Sequence, residues 1–160
     1  MSHENHTAPV TQVEPHDTVW RQLQATASSH AGDAALAAPG RPPLTHGELL
    51  DRVRDTVGTL NSFGIGRSDR VATVLPNGPE AALAFLTVAC GASCAPLNPD
   101  YRESEFEFFL SDLEARALIV PAGSDCPAAS FFQDIPAHSF IGGAAQMSKI
   151  LGTKSTVSVI

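Results

Sequence analysis

Three short apolar runs alternate with helical patterns along the middle of the chain, and this alternation restricts the fold more than any other feature. The runs cover residues 71–75, 92–97 and 117–120, and a proline or an Asn-Pro pair follows each of them. Strands that alternate with helices form parallel βαβ units, because a parallel pair needs a crossover connection. The sequence therefore predicts an α/β fold in which helices pack on a short parallel sheet.

Each predicted strand is preceded by a segment with helical spacing. Thr45 and Glu48 are spaced as a capping box, and apolar residues then recur every three or four positions as far as Phe63. A later segment opens with Pro79 and is apolar on nearly all sides, which indicates a buried helix. We predict helices over residues 45–63, 79–90 and 103–113.

A helix and a hairpin are predicted upstream of this region. Asp17 is suited to cap a helix over residues 17–29, because apolar residues then recur at helical spacing. Residues 34–38 form a short apolar run before the turn signal Pro39-Gly40. Residues 42–44 are expected to return as the second strand of the hairpin.

The two ends of the chain lack such patterns. Residues 1–16 are polar and are predicted to be a disordered arm without a secretory signal. Residues 122–160 have poor periodicity, and they end on a β-prone apolar tetrapeptide at 157–160. Such an end predicts an unpaired strand or an aggregation-prone tail.

Composition excludes several classes of function. The formal net charge is -7, so the chain has no electrostatic attraction to nucleic acid. The apolar stretch at 81–95 is too short to span a bilayer. We therefore expect no nucleic-acid partner, no membrane span and a cytoplasmic location. Charged residues make up only 17 % of the chain, which leaves apolar surface that would need a partner.

Four segments resemble motifs of the adenylate-forming (AMP-dependent synthetase/ligase) superfamily, and they come in the order of that family. Residues 44–49 resemble its first core motif, L-T-Y-x-E-L. Residues 64–72 resemble its G-x-x-x-G-D-R-V-A segment, and residues 75–80 resemble its L-P-N-S-x-E segment. Residues 89–99 resemble its second core motif, A-G-A-x-x-x-P-L-N-P. The resemblance is nearest to acyl-CoA synthetases, and among them to the oxalate-CoA ligase branch.

The resemblance implies a fold, a division into domains and a reaction. Residues 17–121 would be an incomplete N-terminal subdomain of the adenylate-forming fold, followed by a divergent tail at 122–160. In the family, a carboxylate attacks the α-phosphate of ATP with Mg²⁺, pyrophosphate leaves, and the thiol of CoA then displaces AMP. ATP, Mg²⁺ and CoA are therefore the cofactors implied for full-length members, and the resemblance also allows a peroxisomal location for those.

The phosphate-binding loop of that family has no counterpart in this sequence. Residues 152–156 share some of its letters, but they lack a second glycine and a Pro-Lys-Gly ending. Gly64 and Gly66 follow a helix and precede a strand, whereas a phosphate cradle needs glycines that lead into a helix. These two glycines indicate a helix C-cap followed by a turn.

No catalytic, cofactor-binding or metal-binding residue is assigned from the sequence. Glu48, Asp69 and Glu80 have capping or turn explanations. His46 stands where the first core motif of the family often has tyrosine, and His138 has no serine–acid constellation. The odd number of cysteines and the absence of CxxC spacing favour small core residues in a reducing compartment: Cys90, Cys94 and Cys126.

Three interpretations of function follow, in decreasing order of support. The chain is predicted to be a truncated acyl-CoA synthetase that is inactive alone, and such a stub would be marginally stable or would self-aggregate. The alternative is a non-catalytic interaction module that binds a full-length synthetase. An enzyme that is active alone has the least support, because the sequence contains neither the phosphate loop nor the C-terminal domain of the family.

Overall fold

The elements of the fold are those of the expected α/β arrangement. The computed structural model describes residues 18–121, 125–133 and 157–159, so the predicted disordered arm lies outside the described residues. Every helix and strand predicted between residues 17 and 121 is confirmed, with small shifts at the ends. In chain order the elements are α1 (Val19–His30), β1 (Ala34–Leu36), β2 (Leu44–Thr45), α2 (His46–Ser62), β3 (Arg70–Thr73), α3 (Pro79–Ala89), β4 (Ser93–Pro96), α4 (Glu103–Leu113), β5 (Ala117–Pro121), α5 (Pro127–Gln133) and β6 (Val157–Val159).

A sheet with the strand order β4-β3-β5-β6 forms the centre of the fold. β3 pairs in parallel with β4 on one side and with β5 on the other, as the alternation of elements predicts. The crossovers β3-α3-β4 and β4-α4-β5 run in opposite directions across the sheet. The right-handed rule for such crossovers therefore predicts helices on opposite faces, and α3 and α4 do pack in different cores.

Alternate residues of the strands supply two separate cores, one on each face of the sheet. Val71 and Ile119 belong to the core that α2 and α3 cover. Ala72 and Leu118 belong to the core that α4 and α5 cover. All four side chains are fully buried, so the strands carry near-continuous apolar runs because both faces are covered.

The ends of α2 are built as the sequence predicts. The Thr45 hydroxyl accepts a hydrogen bond from the Glu48 backbone N–H at 3.3 Å, and the Glu48 carboxylate accepts one from the Thr45 backbone N–H at 2.9 Å. Gly64 follows the helix with a φ of 71°, the left-handed conformation that glycine adopts without a steric penalty. The Ile65 N–H then donates to the Leu60 carbonyl at 3.0 Å.

The prediction of Asp17 as the cap of α1 is wrong. Thr18 has the extended backbone of an N-cap residue, and its hydroxyl accepts a hydrogen bond from the Arg21 N–H at 3.3 Å. Both residue types can cap a helix, so composition alone does not decide between neighbours. Helix α1 begins at Val19, so Thr18 is the residue directly before its first turn. From that position its hydroxyl reaches the N–H of Arg21, three residues later.

The prediction of an unpaired strand at the end of the chain is also wrong. β6 pairs antiparallel with β5, with Ile119 opposite Val159 and Pro121 opposite Val157. The backbone of β6 therefore satisfies the outer edge of β5, which would otherwise be open.

Helix α5 was not predicted from the sequence, and it is a short helix of two turns.

The expectation that α3 is buried on all sides is only partly met. Its inner residues Leu83, Ala84 and Val88 are buried, whereas Phe85 is 46 % exposed.

No helix in the described ranges has both the length and the apolar content needed to cross a membrane.

Candidate functional site

The carboxyl ends of β3, β4 and β5 meet at one edge of the sheet, and open α/β sheets bind their ligands beyond this edge. The chain passes from β3 to β4 on one side and then crosses back to β5 on the other side of β3. The direction of the strand order therefore reverses beside β3. The loops after β3 and β4, residues 74–78 and 97–102, begin at this edge. This carboxyl edge is therefore the candidate site.

The first turn of α3 stands at the carboxyl edge and carries a paired carboxylate. Gly78 caps the helix, and Pro79 and Glu80 follow in its first turn. The Arg41 guanidinium, from the loop between β1 and β2, donates a hydrogen bond to the Glu80 carboxylate. The hydrogen bond from Arg41 lowers the pKa of Glu80 below its ordinary value. Sequence reasoning assigned Glu80 to the helix dipole alone, and it missed Arg41 because the two residues are distant in the chain.

The loop after β4 is held by local hydrogen bonds and by an aromatic stack. The Asn98 side-chain oxygen accepts a hydrogen bond from the Asp100 N–H at 3.0 Å, which makes an Asx turn. The Tyr101 ring then stacks on Phe109 of α4, with 5.1 Å between the ring centroids. The Asn98 and Tyr101 side chains therefore shape the loop and anchor it to α4.

The two thiols near β4 are not poised as nucleophiles. Burial raises the pKa of Cys94 to about 11, although a hydrogen bond with Thr73 partly opposes that shift. Burial also raises the pKa of Cys90 above its ordinary value. Reactive cysteines have a lowered pKa, so these thiols stay protonated at neutral pH.

The charged residues at the opposite, amino edge of the sheet pair with one another. Arg116 lies 3.2 Å from the Asp69 carboxylate, and Arg70 lies 2.6 Å from the Glu114 carboxylate. The other Asp69 oxygen accepts a hydrogen bond from the Gly66 N–H at 2.8 Å. Asp69 therefore closes the turn between α2 and β3, as the sequence predicts, and Gly66 lies in that turn rather than in a phosphate cradle.

Two buried polar side-chain atoms of the described residues have no hydrogen-bond partner. They are Nδ1 of His46, in the first turn of α2, and the hydroxyl of Thr56, on its buried side. In the described ranges, no group of three His, Cys, Asp or Glu side chains could hold a metal ion. The loops of the carboxyl edge thus offer backbone groups and the exposed Arg102, beside the Arg41–Glu80 pair. Neither of the two buried atoms without a partner lies in these loops.

A family model described as "AMP-binding enzyme" matches residues 23–154. The chain is 39 % identical over 100 residues to the protein named "Probable CoA ligase CCL9" from Humulus lupulus. The aligned residues make up 62 % of this chain and 19 % of that protein. It is 36 % identical over 114 residues to oxalate–CoA ligase from Arabidopsis thaliana. Here the aligned residues make up 70 % of this chain and 22 % of that protein. The chain thus spans about a fifth of the length of these relatives.

Solved structures show the same fold at lower identity. A fatty acyl CoA synthetase of Mycobacterium tuberculosis matches 87 % of this chain and 28 % of its own, with a TM-score of 0.66 and 24 % identity. The inhibitor-bound N-terminal domain of FACL13 from the same organism matches 85 % of this chain and 35 % of its own, with a TM-score of 0.65 and 24 % identity. The family match extends well past the last of the four motif-like segments, which ends at residue 99, and past residue 121.

Proposed function

This chain belongs to the AMP-binding enzyme family, and we propose that it is the N-terminal part of an ATP-dependent acyl-CoA synthetase. The observation that carries the proposal is the place of two family-like segments in the fold. Residues 75–80 and 95–99 lie in or beside the loops that follow β3 and β4, at the carboxyl edge of the sheet. Those loops are where an open α/β sheet presents backbone to a ligand.

We propose that the chain alone does not catalyse carboxylate activation. The reaction brings a negative nucleophile to a negative phosphate, so positive groups or a metal ion must neutralise charge in the transition state. At the carboxyl edge, the Arg41 guanidinium is already paired with Glu80, which leaves Arg102 as the one cationic residue of the loops 74–78 and 97–102. The phosphate-binding residues would then come from other parts of a longer ligase, and this chain would supply scaffold for them.

We propose oxalate, or another short dicarboxylate, as the acid that the complete ligase activates. Two oxalate–CoA ligases support this choice: the Arabidopsis protein, and the Saccharomyces cerevisiae protein at 48 % identity over 59 residues. Similar proteins also include a long-chain-fatty-acid–CoA ligase of Bacillus subtilis at 28 % identity over 106 residues. The higher identity to the oxalate enzymes favours the short acid.

Oxalate-dependent exchange of pyrophosphate into ATP tests the proposal that the chain alone is inactive. The purified chain of 160 residues is assayed with Mg²⁺, and full-length Arabidopsis oxalate–CoA ligase serves as the positive control. We expect exchange by the control and none by the chain above a blank without protein. Exchange by the chain alone would overturn the proposal that it is inactive.

A second candidate function is a non-catalytic module that binds a full-length synthetase. The half-exposed Phe85 on α3 favours it, because a soluble domain seldom exposes such a ring beside other apolar residues. A pull-down with the full-length Arabidopsis enzyme tests this function. Retention of that enzyme supports the module, and its absence from the eluate removes it.

A further inference from the structure

Helix α4 carries the most exposed large apolar side chain of the described residues, and neighbouring rings hold it in place. Phe108 is 63 % exposed, and its ring contacts that of Phe109 edge to face, with 5.3 Å between the centroids. Phe109 in turn stacks on Tyr101, whose ring lies 5.8 Å from that of the buried Phe106. Four aromatic rings therefore form a chain from the core to the surface, and they fix the position of Phe108.

A shallow groove follows α4 on both sides of the Phe108 ring. It is lined by Ser104, Glu107, Phe108, Ser111 and Asp112, and we call the surface formed by these five residues the α4 groove. Ser104 and Ser111 stand one helical turn before and one turn after Phe108. Because their side chains are small, the α4 groove has an aromatic centre with room for an apolar side chain on either side of it.

Carboxylates border the α4 groove on both flanks. The helical turn of about 100° per residue places Glu103 and Glu107 along one flank and Asp112 on the other. In the part of the chain that the structure describes, none of these three carboxylates has an ion-pair partner. The sequence of α4 contains neither lysine nor arginine. The α4 groove therefore carries negative charge that its own helix does not neutralise.

The stability of α4 does not account for the place of Asp112. This residue lies in the last turn of the helix, where the negative end of the helix dipole disfavours an acid and favours a cation. Arg116 is the nearest basic residue in the sequence, and it pairs with Asp69 instead. A cation brought by a partner would be attracted both by the Asp112 carboxylate and by the end of the helix.

We propose that the α4 groove binds a basic amphipathic helix of another protein. The apolar residues of such a helix recur every three or four positions, which is also the spacing of Ser104, Phe108 and Ser111. Two of them would pack beside the Phe108 ring, in the way that an apolar helix face occupies a groove. Lysines or arginines next to this stripe would meet the carboxylates of Glu107 and Asp112.

Charge disfavours two other occupants of the α4 groove. A second copy of this chain would bring a net charge of -7 to an acidic surface. An anionic lipid surface would be repelled by the same carboxylates. The inference goes beyond the proposed ligase function and does not depend on it, because it rests on the surface of α4 and not on the carboxyl edge.

Binding of a synthetic helix tests the proposal. The probe is a fluorescein-labelled peptide of about 20 residues in which leucines form one stripe and lysines flank it. The purified chain of 160 residues is titrated into the peptide, and fluorescence anisotropy measures the dissociation constant. A peptide of the same composition in shuffled order keeps the charge but has no apolar stripe, so it controls for attraction by net charge alone.

We expect the amphipathic peptide to bind at least about tenfold more tightly than the shuffled one. Phe108→Ala should weaken its binding by about tenfold or more, because the aromatic centre of the α4 groove is then lost. Phe85→Ala is the matched control, since it removes the other exposed phenylalanine of the described residues, on α3, and it should leave the affinity unchanged.

A second variant tests the charge. Asp112→Asn keeps the shape of an exposed side chain, so it stays informative where Phe108→Ala affects folding. We expect it to weaken binding by about threefold in about 0.05 M NaCl and by less in about 0.5 M NaCl, because salt screens exposed charges. An equal affinity of Asp112→Asn and wild type in the low salt would contradict the proposal.

Three further results would overturn it. The first is the absence of saturable binding by the amphipathic peptide, or equal binding by the shuffled one. The second is an equal loss of affinity in Phe85→Ala and Phe108→Ala, because the peptide would then not distinguish α4 from α3. The third is a dimer of the chain in sedimentation that Phe108→Ala abolishes, because the α4 groove would then belong to a second copy.

Discussion

Gly91 and Val57 approach so closely that a Cβ atom on Gly91 would lie 2.8 Å from Cγ2 of Val57. This contact joins the end of α3 to the middle of α2, and it explains why glycine stands there although its backbone does not require one. The Val57 side chain is β-branched and cannot easily rotate away. The packing of α2 against α3 therefore depends on the missing side chain at position 91.

Gly91→Ala should destabilise the chain by about 1–3 kcal/mol, because the added methyl group overpacks the contact with Val57. Urea unfolding followed by circular dichroism measures the change. In the double variant Gly91→Ala with Val57→Ala, the loss should be smaller than the sum of the two single losses. Strict additivity would show that the two residues do not contact in solution.

Thr56→Val should stabilise the chain by about 1 kcal/mol, because the buried Thr56 hydroxyl has no partner and valine has nearly the same shape. Thermal unfolding measures the change as a rise in melting temperature of a few degrees. Thr59→Val, in which the replaced hydroxyl donates to the Asp55 carbonyl at 2.8 Å, is the control and should not stabilise. A drop in stability for Thr56→Val would indicate that the hydroxyl is hydrogen-bonded after all.

The Arg41–Glu80 pair should make stability depend on pH in the acid range. The pKa of Glu80 is lowered from its ordinary value of 4.5, so the ionised form is favoured in the folded state. Its contribution is therefore present above about pH 4.5 and is lost as the pH falls through the lowered pKa. Because Arg41 is half-exposed, Glu80→Gln should cost only about 0.5 kcal/mol at pH 7.

Unfolding curves measured from about pH 3 to pH 7 check this prediction. The free-energy difference between wild type and Glu80→Gln should shrink towards the acid end. In an Arg41→Gln background the same substitution should show no such trend, because the partner of Glu80 is then absent. A constant difference across the range would mean that Glu80 and Arg41 do not interact.

The Cys94 thiol should be slow to react with alkylating reagents. Burial raises its pKa from 9.0 to about 11, so the thiolate fraction at pH 8 falls by about 100-fold relative to an ordinary cysteine. Mass-spectrometric mapping of iodoacetamide labelling measures the rate at this residue. Rapid labelling in the folded chain, equal to that in urea, would contradict the burial of Cys94.

Local sequence signals were sufficient for much of the fold. The capping box of Thr45 and Glu48 located the start of α2, and Gly64 located its end. These devices depend on residues within one turn of each other, so they can be recognised without the structure. The buried strands were equally clear, because apolar runs such as 117–120 face a core on both sides.

Contacts between distant residues could not be predicted in this way. The Arg41–Glu80 pair joins a hairpin loop to a helix, and the pairing of β6 with β5 joins residues far apart in the chain. The exposure of Phe85 could not be predicted either. The spacing of apolar residues shows that α3 is apolar on nearly all sides, but it does not show which side the sheet covers. Of the candidate site, the sequence identified the loop segments and missed the ion pair.

Equilibrium dialysis of the purified chain against radiolabelled ATP with Mg²⁺ tests the central claim most directly. That claim is that the chain supplies scaffold for a ligase and does not hold the nucleotide by itself. We predict no saturable binding at ATP concentrations up to about 1 mM, the upper end of common Michaelis constants. Full-length Arabidopsis oxalate–CoA ligase is dialysed in parallel for comparison. Saturable, magnesium-dependent binding by the chain alone would contradict the account.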